Sequence, residues 1–120
     1  MDPREAITEL LADRIRARSI FDSVTLPERG VRAAYALRGR IERLEEVDQG
    51  QAVYAICTIS AEVVDISKGS VIWRQTASDT VPVTQRNMTG LVTSLAAASQ
   101  SVVDRLVASM ENELARGVQP

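Results

Sequence analysis

The sequence has no histidine, and this absence excludes several kinds of site at once. Without an imidazole there is no histidine general base, no Ser-His-Asp or Cys-His nucleophile pair and no His-ligated zinc. The single cysteine, Cys57, leaves no internal disulfide and no CxxC metal or redox motif. The single lysine, Lys68, lies in a predicted turn and is a poor basis for Schiff-base or P-loop chemistry. We therefore expect no catalytic residue, no metal and no cofactor, and we expect that the protein is not an enzyme.

Aromatic residues, basic charge and long apolar runs are also scarce. Aromatic side chains make up 3% of the residues, too few for the stacking platforms that bind single-stranded nucleic acid. The net charge is −2, from 14 basic and 16 acidic residues, so we expect no nucleic-acid partner. No segment approaches the ~18–20 apolar residues of a membrane span, and no signal peptide is visible before the first predicted helix.

The length of 120 residues and an apolar fraction of 45% predict one domain over residues 1–120. A helix begins at once, because Asp2 is a good N-cap, Pro3 suits the first helical position and an apolar stripe follows. Its last turns carry arginines at positions 14, 16 and 18. These arginines form either a phosphate or lipid-headgroup patch or a solvated helix end, and we favour the solvated end. A loop is predicted at residues 27–30.

Two long runs, from about residue 33 to 44 and from about 51 to 66, alternate with the period of a β-strand. Apolar residues occupy odd positions in both runs, so odd positions must pair with odd for both apolar faces to meet one core. A three-residue loop at 48–50 satisfies this condition. It places Leu37 opposite Ala61 and Gly39 opposite Ile59. Because these strands are unusually long, we expect a bulge or bend, with Gly39 as a candidate position.

A third strand is predicted from about Val71 to Ala77, after a turn at 67–70. The loop length decides which side of the sheet Trp73 faces. Three loop residues put Val71 and Trp73 on the core face, whereas two or four put them on the other face. Trp73 is therefore either a core residue, which we favour, or an anchor that faces a partner.

The last predicted element is a helix from about Thr84 or Asn87 to Arg116, whose apolar residues are spaced three or four apart. Together these elements predict an α+β fold. It is a two-layer sandwich in the order α-β-β-β-α, an antiparallel meander of three long strands with two helices on one face. Three strands are narrow under two helices, so we expect a fourth strand before Asp2 and hence an N-terminally truncated domain.

The helix-free face of this predicted sheet is the best candidate for a binding site. Its polar residues form either cross-strand charge pairs on a solvated face or a surface that meets a partner. With the tryptophan of the third strand, the candidates for partner contact are Arg38, Arg40, Thr58, Ser60, Glu62 and Trp73.

Short segments along nearly the whole chain have a familiar order and spacing. They are the first helix with Ile20-Phe21-Asp22-Ser23-Val24, the strand Ala34-Tyr35-Ala36-Leu37-Arg38-Gly39-Arg40-Ile41, the hairpin from Val63 to Arg74, and the helix from Leu91 through Leu106. In these segments, from about Glu5 to Leu114, the chain resembles the ABC-type transport auxiliary lipoprotein component family, the PqiC-like group.

The resemblance implies a periplasm-facing domain that a lipidated cysteine anchors to the Gram-negative outer membrane. It implies a non-catalytic auxiliary component of an ABC/Mce-type lipid transport system. The implied partners are an Mce-type periplasmic protein and ABC transporter components, with lipid as a further candidate. The chain lacks the family's signal peptide, lipobox cysteine and first strand. Cys57 cannot be the anchor, because it lies in mid-strand.

Two other classes of function remain open. One is a cytosolic or periplasmic α+β module that binds a small molecule or associates with itself as a homo-oligomer. That class predicts a closed pocket between the helices and the sheet, and no lipobox upstream. The other is an outer-membrane assembly lipoprotein of similar fold. The lipid-transport interpretation instead predicts that the helix-free face or a sheet edge is used for partner contact.

Overall fold

A computed structural model describes residues 2–25 and 32–117 of the chain. Its elements are α1, Pro3–Ala17; β1, Tyr35–Gln49; β2, Ala52–Asp65; β3, Ser70–Pro82; and α2, Met88–Gly117. The strands form one antiparallel sheet in the order β1-β2-β3, which confirms the predicted α-β-β-β-α meander. The loop predicted at residues 27–30 lies outside the described residues.

The β1–β2 hairpin closes through a shorter loop than the three residues predicted. Gln49 pairs with Ala52, so the loop is Gly50-Gln51, and Gly50 has a φ of 66°. Glycine at positive φ in the first of two loop positions is typical of a type II′ hairpin turn. A two-residue loop pairs odd positions with even ones, and near the turn it does so here.

A β-bulge at Glu42 then changes the pairing along β1. The register shifts between Ile41 and Arg43, and beyond the shift Leu37 pairs with Val63. From Tyr35 to Ile41 the predicted pairing of odd with odd positions is therefore correct, but the register is wrong by two residues. From Arg43 to the turn the predicted odd-with-odd pairing is itself wrong, and the irregularity lies at Glu42 instead of Gly39. Ile41 and Leu44 are three positions apart, and both pack against the core. A regular strand would turn one of them away, so the bulge allows both to face the helices.

The β2–β3 hairpin combines a four-residue loop with a second bulge. Asp65 pairs with Ser70, and this loop length leaves Val71 on the helix-free face, 43% exposed. The bulge at Ile72 then turns Trp73 toward the helices, where it is 2% exposed and its indole N–H donates to Ser109 Oγ at 3.2 Å. Trp73 is thus a core residue, as we favoured, and its burial leaves no surface for a contact with a partner.

β3 also continues beyond its predicted end at Ala77, because alternation persists through Thr80. Pro82 is its last residue, which suits an edge strand because proline cannot donate to a neighbour.

The turn between β3 and α2 is tight. Asn87 Oδ1 accepts a hydrogen bond from the Gly90 N–H at 2.7 Å and caps α2. A Cβ at Gly90 would overlap the carbonyl oxygen of Gln85, so close packing explains this glycine.

Both helices pack on one face of the sheet. α2 lies over β2 and β3, and α1 lies beside α2. Two ion pairs join the helices, which run in the same direction. Arg14 Nε lies 3.0 Å from Asp104 Oδ1, and Arg18 Nη1 lies 3.2 Å from Glu111 Oε1. Two of the three arginines at the end of α1 are therefore engaged between helices. The shared core consists of Ile7, Leu11, Ile15, Cys57, Ile59, Ala61, Val63, Trp73, Ala98, Val102, Val103, Leu106, Val107, Met110 and Leu114.

Within residues 2–25 and 32–117, neither helix has the length and hydropathy that crossing a membrane requires.

Candidate functional site

The candidate site is the side of the sheet opposite the helices, which we call the open face. Alternate residues of each strand supply its side chains, and the strand register arranges them in rows across the sheet. None of the elements described in residues 2–25 and 32–117 covers it. Five of the six predicted contact residues lie on it, namely Arg38, Arg40, Thr58, Ser60 and Glu62. The sixth, Trp73, lies on the other side of the sheet in the core.

Three charged residues form the central row: Arg38, Glu62 and Arg74, directly opposite one another on the three strands. Arg74 donates through Nε and Nη2 to Glu62 Oε2, at 3.2 and 2.8 Å. Arg38 Nη1 lies 4.0 Å from Glu62 Oε1. The Glu62 side chain is 23% exposed, whereas both arginine side chains are mostly exposed. One carboxylate is therefore shared by two guanidinium groups, and the row carries a net charge of +1.

Two pairs of hydroxyl groups lie beside the central row on β2 and β3. Ser60 Oγ is 2.9 Å from Thr76 Oγ1, and Thr58 Oγ1 is 2.7 Å from Ser78 Oγ. Such cross-strand pairs stabilise adjacent strands. Neither pair is hydrogen-bonded to a carboxylate or amine in the described part of the chain, so nothing there activates a nucleophile. The hydroxyl groups offer hydrogen bonds to a partner.

β1 adds two more arginines along the margin of the open face. Arg40 has a side chain that is 81% exposed, and its Nε lies 3.8 Å from Glu42 Oε1 at the bulge. Arg43 donates to Glu45 Oε1 at 2.6 Å. Each of these arginines thus has its own glutamate. Counted with the central row, this surface holds four arginines and three glutamates, a net charge of +1 in a chain whose net charge is −2.

Apolar rows border the polar rows at both ends of the open face. One row, Val47, Tyr54 and Pro82, crosses the sheet near the β1–β2 loop, and the other, Ala36, Val64 and Val71, crosses it near the β2–β3 loop. They are separated by about eleven residues of β1, or about 36 Å. The open face is thus banded, with apolar ends and a charged and hydroxyl-bearing middle.

Other groups that could carry chemistry are placed differently. Cys57 lies in the core, where Ser99 Oγ donates to its Sγ at 3.8 Å, and burial raises the pKa of the thiol and keeps it protonated. No group of three or more metal-ligating side chains occurs within residues 2–25 and 32–117. A shallow recess is lined by Glu9, Ala12, Asp13 and Arg16, all of α1. It is not the pocket between helices and sheet that a small-molecule module predicts.

Four polar residues of the open face were not predicted from the sequence. Three of them, Arg74, Thr76 and Ser78, complete rows of the open face, but the orientation of β3 depended on a loop length that the sequence left open. The polar residues at every second position from 74 to 80 were the available signal. Arg43 was missed for a different reason, because the bulge at Glu42 reverses which β1 positions reach the open face.

No family model matches the sequence, and no curated protein matches it. Solved structures nevertheless share the fold. A Xanthomonas campestris protein of family model DUF330 superposes with a TM-score of 0.81 at 15% identity over 97% of this chain. This chain spans 65% of that protein's length.

Two further structures are similar. The PelC dodecamer from Paraburkholderia phytofirmans has a TM-score of 0.71 at 21% identity, covering 90% of this chain and 76% of PelC. A minor lipoprotein from Acinetobacter baumannii has a TM-score of 0.56 at 13% identity, covering 100% of this chain and 91% of that one. At these identities the likenesses show a common fold.

Proposed function

We propose that this chain is the folded domain of a non-catalytic accessory lipoprotein of the Gram-negative envelope. Its role is that of an auxiliary component of an ABC/Mce-type lipid transport system, and it works by protein–protein contact. The observation that carries this proposal is the open face, where three long strands present ordered rows of side chains that no described element covers.

The open face has the chemistry of a contact surface. Arginine is enriched at protein interfaces because its planar guanidinium group makes directed hydrogen bonds. The middle of the open face supplies four arginines beside four hydroxyl groups. The apolar rows at either end supply surface that gains from losing water. Because β2 is paired on both sides, the backbone that carries Thr58, Ser60 and Glu62 is held firmly, so these side chains are presented without reordering the strand.

The location is supported by the fold and by the sequence. The same fold occurs in a minor lipoprotein of Acinetobacter baumannii. Short segments of the sequence resemble the ABC-type transport auxiliary lipoprotein family. On this proposal the domain faces the periplasm and is held at the outer membrane by an N-terminal lipid anchor. An Mce-type periplasmic protein and ABC transporter components are its partners.

Co-purification from cell envelopes tests the proposal. The full-length protein is tagged in its own organism, and the retained Mce-type protein is quantified for wild type, for a double variant Arg38→Glu/Arg40→Glu and for Arg4→Glu. Arg4 is the matched control, since its side chain is 83% exposed on α1, away from the open face. We expect wild type and Arg4→Glu to retain the Mce-type protein and the double variant to lose at least about nine-tenths of it. Absence of the Mce-type protein from the wild-type sample would refute the proposal.

A homo-oligomer is a second candidate, favoured by the fold shared with PelC, which was solved as a dodecamer. On this alternative several copies assemble through surfaces other than the open face. Sedimentation velocity on the purified domain is expected to show a species larger than the monomer, and the same species for Arg40→Glu. A monomer at all accessible concentrations would refute the alternative.

A further inference from the structure

We infer that the partner of the open face presents an acidic protein surface, and that one carboxylate of that surface binds between Arg38 and Arg74. This inference rests on the proposed function, since it names the chemistry of the partner that the open face contacts. It is carried by the central row, where positive charge exceeds negative charge.

The geometry of the central row leaves hydrogen-bond donors free. β1 and β3 are about 10 Å apart, and the arginine side chains from both strands converge on Glu62 between them. Arg74 uses two of its five N–H donors on one oxygen of Glu62. Arg38, at 4.0 Å, is beyond hydrogen-bond distance from the other oxygen. A second carboxylate placed over the row would therefore accept hydrogen bonds from both guanidinium groups and neutralise the excess charge.

The distribution of charge favours one protein carboxylate over an anionic membrane. Juxtamembrane sites that bind anionic lipid carry clusters of about 4–8 basic residues. Here Arg40 and Arg43 each lie within 4 Å of a glutamate, so the excess of one charge is confined to the central row. An opposing protein surface can also contact Val71, which is 43% exposed, and the exposed Pro82 at the other end, together with the central row.

A second copy of this chain is a poor occupant of the open face. Consider the two-fold arrangement in which facing strands run parallel and the two central rows coincide. β1 of each copy then lies over β3 of the other, so Arg38 meets Arg74 and Glu62 meets its own copy. This arrangement places like charges opposite one another, which is destabilising. The face therefore suits a partner with carboxylates at the matching positions.

The test measures binding of an oligoglutamate peptide to the intact protein by two-dimensional NMR of the arginine Nε–Hε groups. We expect the signals of Arg38 and Arg74 to shift on titration and that of Arg4 to stay. Affinity should fall at least about tenfold in Arg38→Gln/Arg74→Gln and less than about twofold in Arg4→Gln. Glu62→Gln should bind more tightly, because it removes the competing carboxylate. Affinity should also fall as salt rises from about 0.05 to about 0.5 M.

Four results would overturn the inference. Shifts spread evenly over all arginines, or equal affinity of wild type and Arg38→Gln/Arg74→Gln, would show that the central row is not the site. Binding to phosphatidylglycerol vesicles through Arg38 and Arg74, without binding to oligoglutamate, would assign the row to lipid. The proposed function is judged separately. If the Mce-type protein co-purifies equally with wild type and Arg38→Gln/Arg74→Gln, the function stands and this inference fails. If oligoglutamate binds at the row and no Mce-type protein co-purifies, the function fails and this inference stands.

Discussion

Deleting Glu42 tests the register of the sheet, on which the composition of the open face depends. Glu42 is the extra residue of the β1 bulge, between the pairs formed by Ile41 and Arg43. Without it these two residues become neighbours, and β1 and β2 pair without a break. Ile41 and Leu44 still face the helices. We therefore expect deletion of Glu42 to change the free energy of unfolding by no more than about 1 kcal/mol.

Deletion of Arg40 is the matched control, since it also removes one exposed charged residue from β1. Here the alternation is broken, because Gly39 and Ile41 become neighbours. In the rearrangement of lowest energy the strand loses its bulge. The Ile41 side chain then faces water, and the Glu42 side chain faces the helices. Losing the burial of a partly buried isoleucine costs about 1–2 kcal/mol, and placing a carboxylate under the helices costs about 1–3 kcal/mol more. The expected loss is about 2–5 kcal/mol.

Urea unfolding followed by the fluorescence of Trp73 measures both deletions. Trp73 is the single tryptophan and is buried, so its emission reports exposure of the core. The linear extrapolation of the free energy of unfolding gives the comparison. If the chain lacking Glu42 is destabilised as much as the chain lacking Arg40, the bulge is misplaced and the row assignments on β1 are wrong.

Three further predictions concern the core and the turns. Gly90→Ala should cost about 1–3 kcal/mol because its Cβ overlaps backbone, whereas Gly39→Ala, with no neighbouring atom closer than 3.8 Å, should cost less than about 1 kcal/mol in thermal melts. The pKa of the Asp65 carboxyl is lowered, first by a hydrogen bond from the Ser67 hydroxyl, so its stabilisation is present above about pH 4 and is lost as the pH falls through the lowered value. Urea melts from about pH 7 to about pH 2 should therefore lose stability less steeply in Asp65→Asn. Trp73→Phe should cost about 1–3 kcal/mol, and Ser109→Ala should add little in that background, because the hydrogen bond is already gone; calorimetry of the double-mutant cycle measures this.

Element order and type could be predicted from the sequence because the patterns are long. Strands of 13–15 residues alternate enough times to be identified, and the apolar stripe of α2 extends over most of its 30 residues. The register could not be predicted. The bulges lie at Glu42 and Ile72, where no glycine marks them, and each arises because tertiary packing buries Leu44 and Trp73 on the helix side. The loop of β1–β2 is shorter than predicted for the same reason, since a bulge elsewhere restores the parity.

The candidate site could be predicted on β1 and β2, where alternating apolar and polar residues show which positions share a face. Arg38, Arg40, Thr58, Ser60 and Glu62 were placed on one face by alternation alone, and that placement is confirmed. The contribution of β3 depended on whether Val71 and Trp73 face the same way. The bulge between them puts Val71 on the open face and Trp73 in the core, an arrangement that a regular strand cannot produce. Whether the five residues contact a partner stays a prediction.

Site-directed photo-crosslinking in living cells tests the central claim most directly. A crosslinking amino acid is placed at Ser60, in the middle of the open face, and at Thr8, an exposed position on α1. We expect a crosslink from Ser60 to the Mce-type protein and none from Thr8. Capture of that protein at Thr8 and not at Ser60, or at neither position, would contradict the proposed contact through the open face.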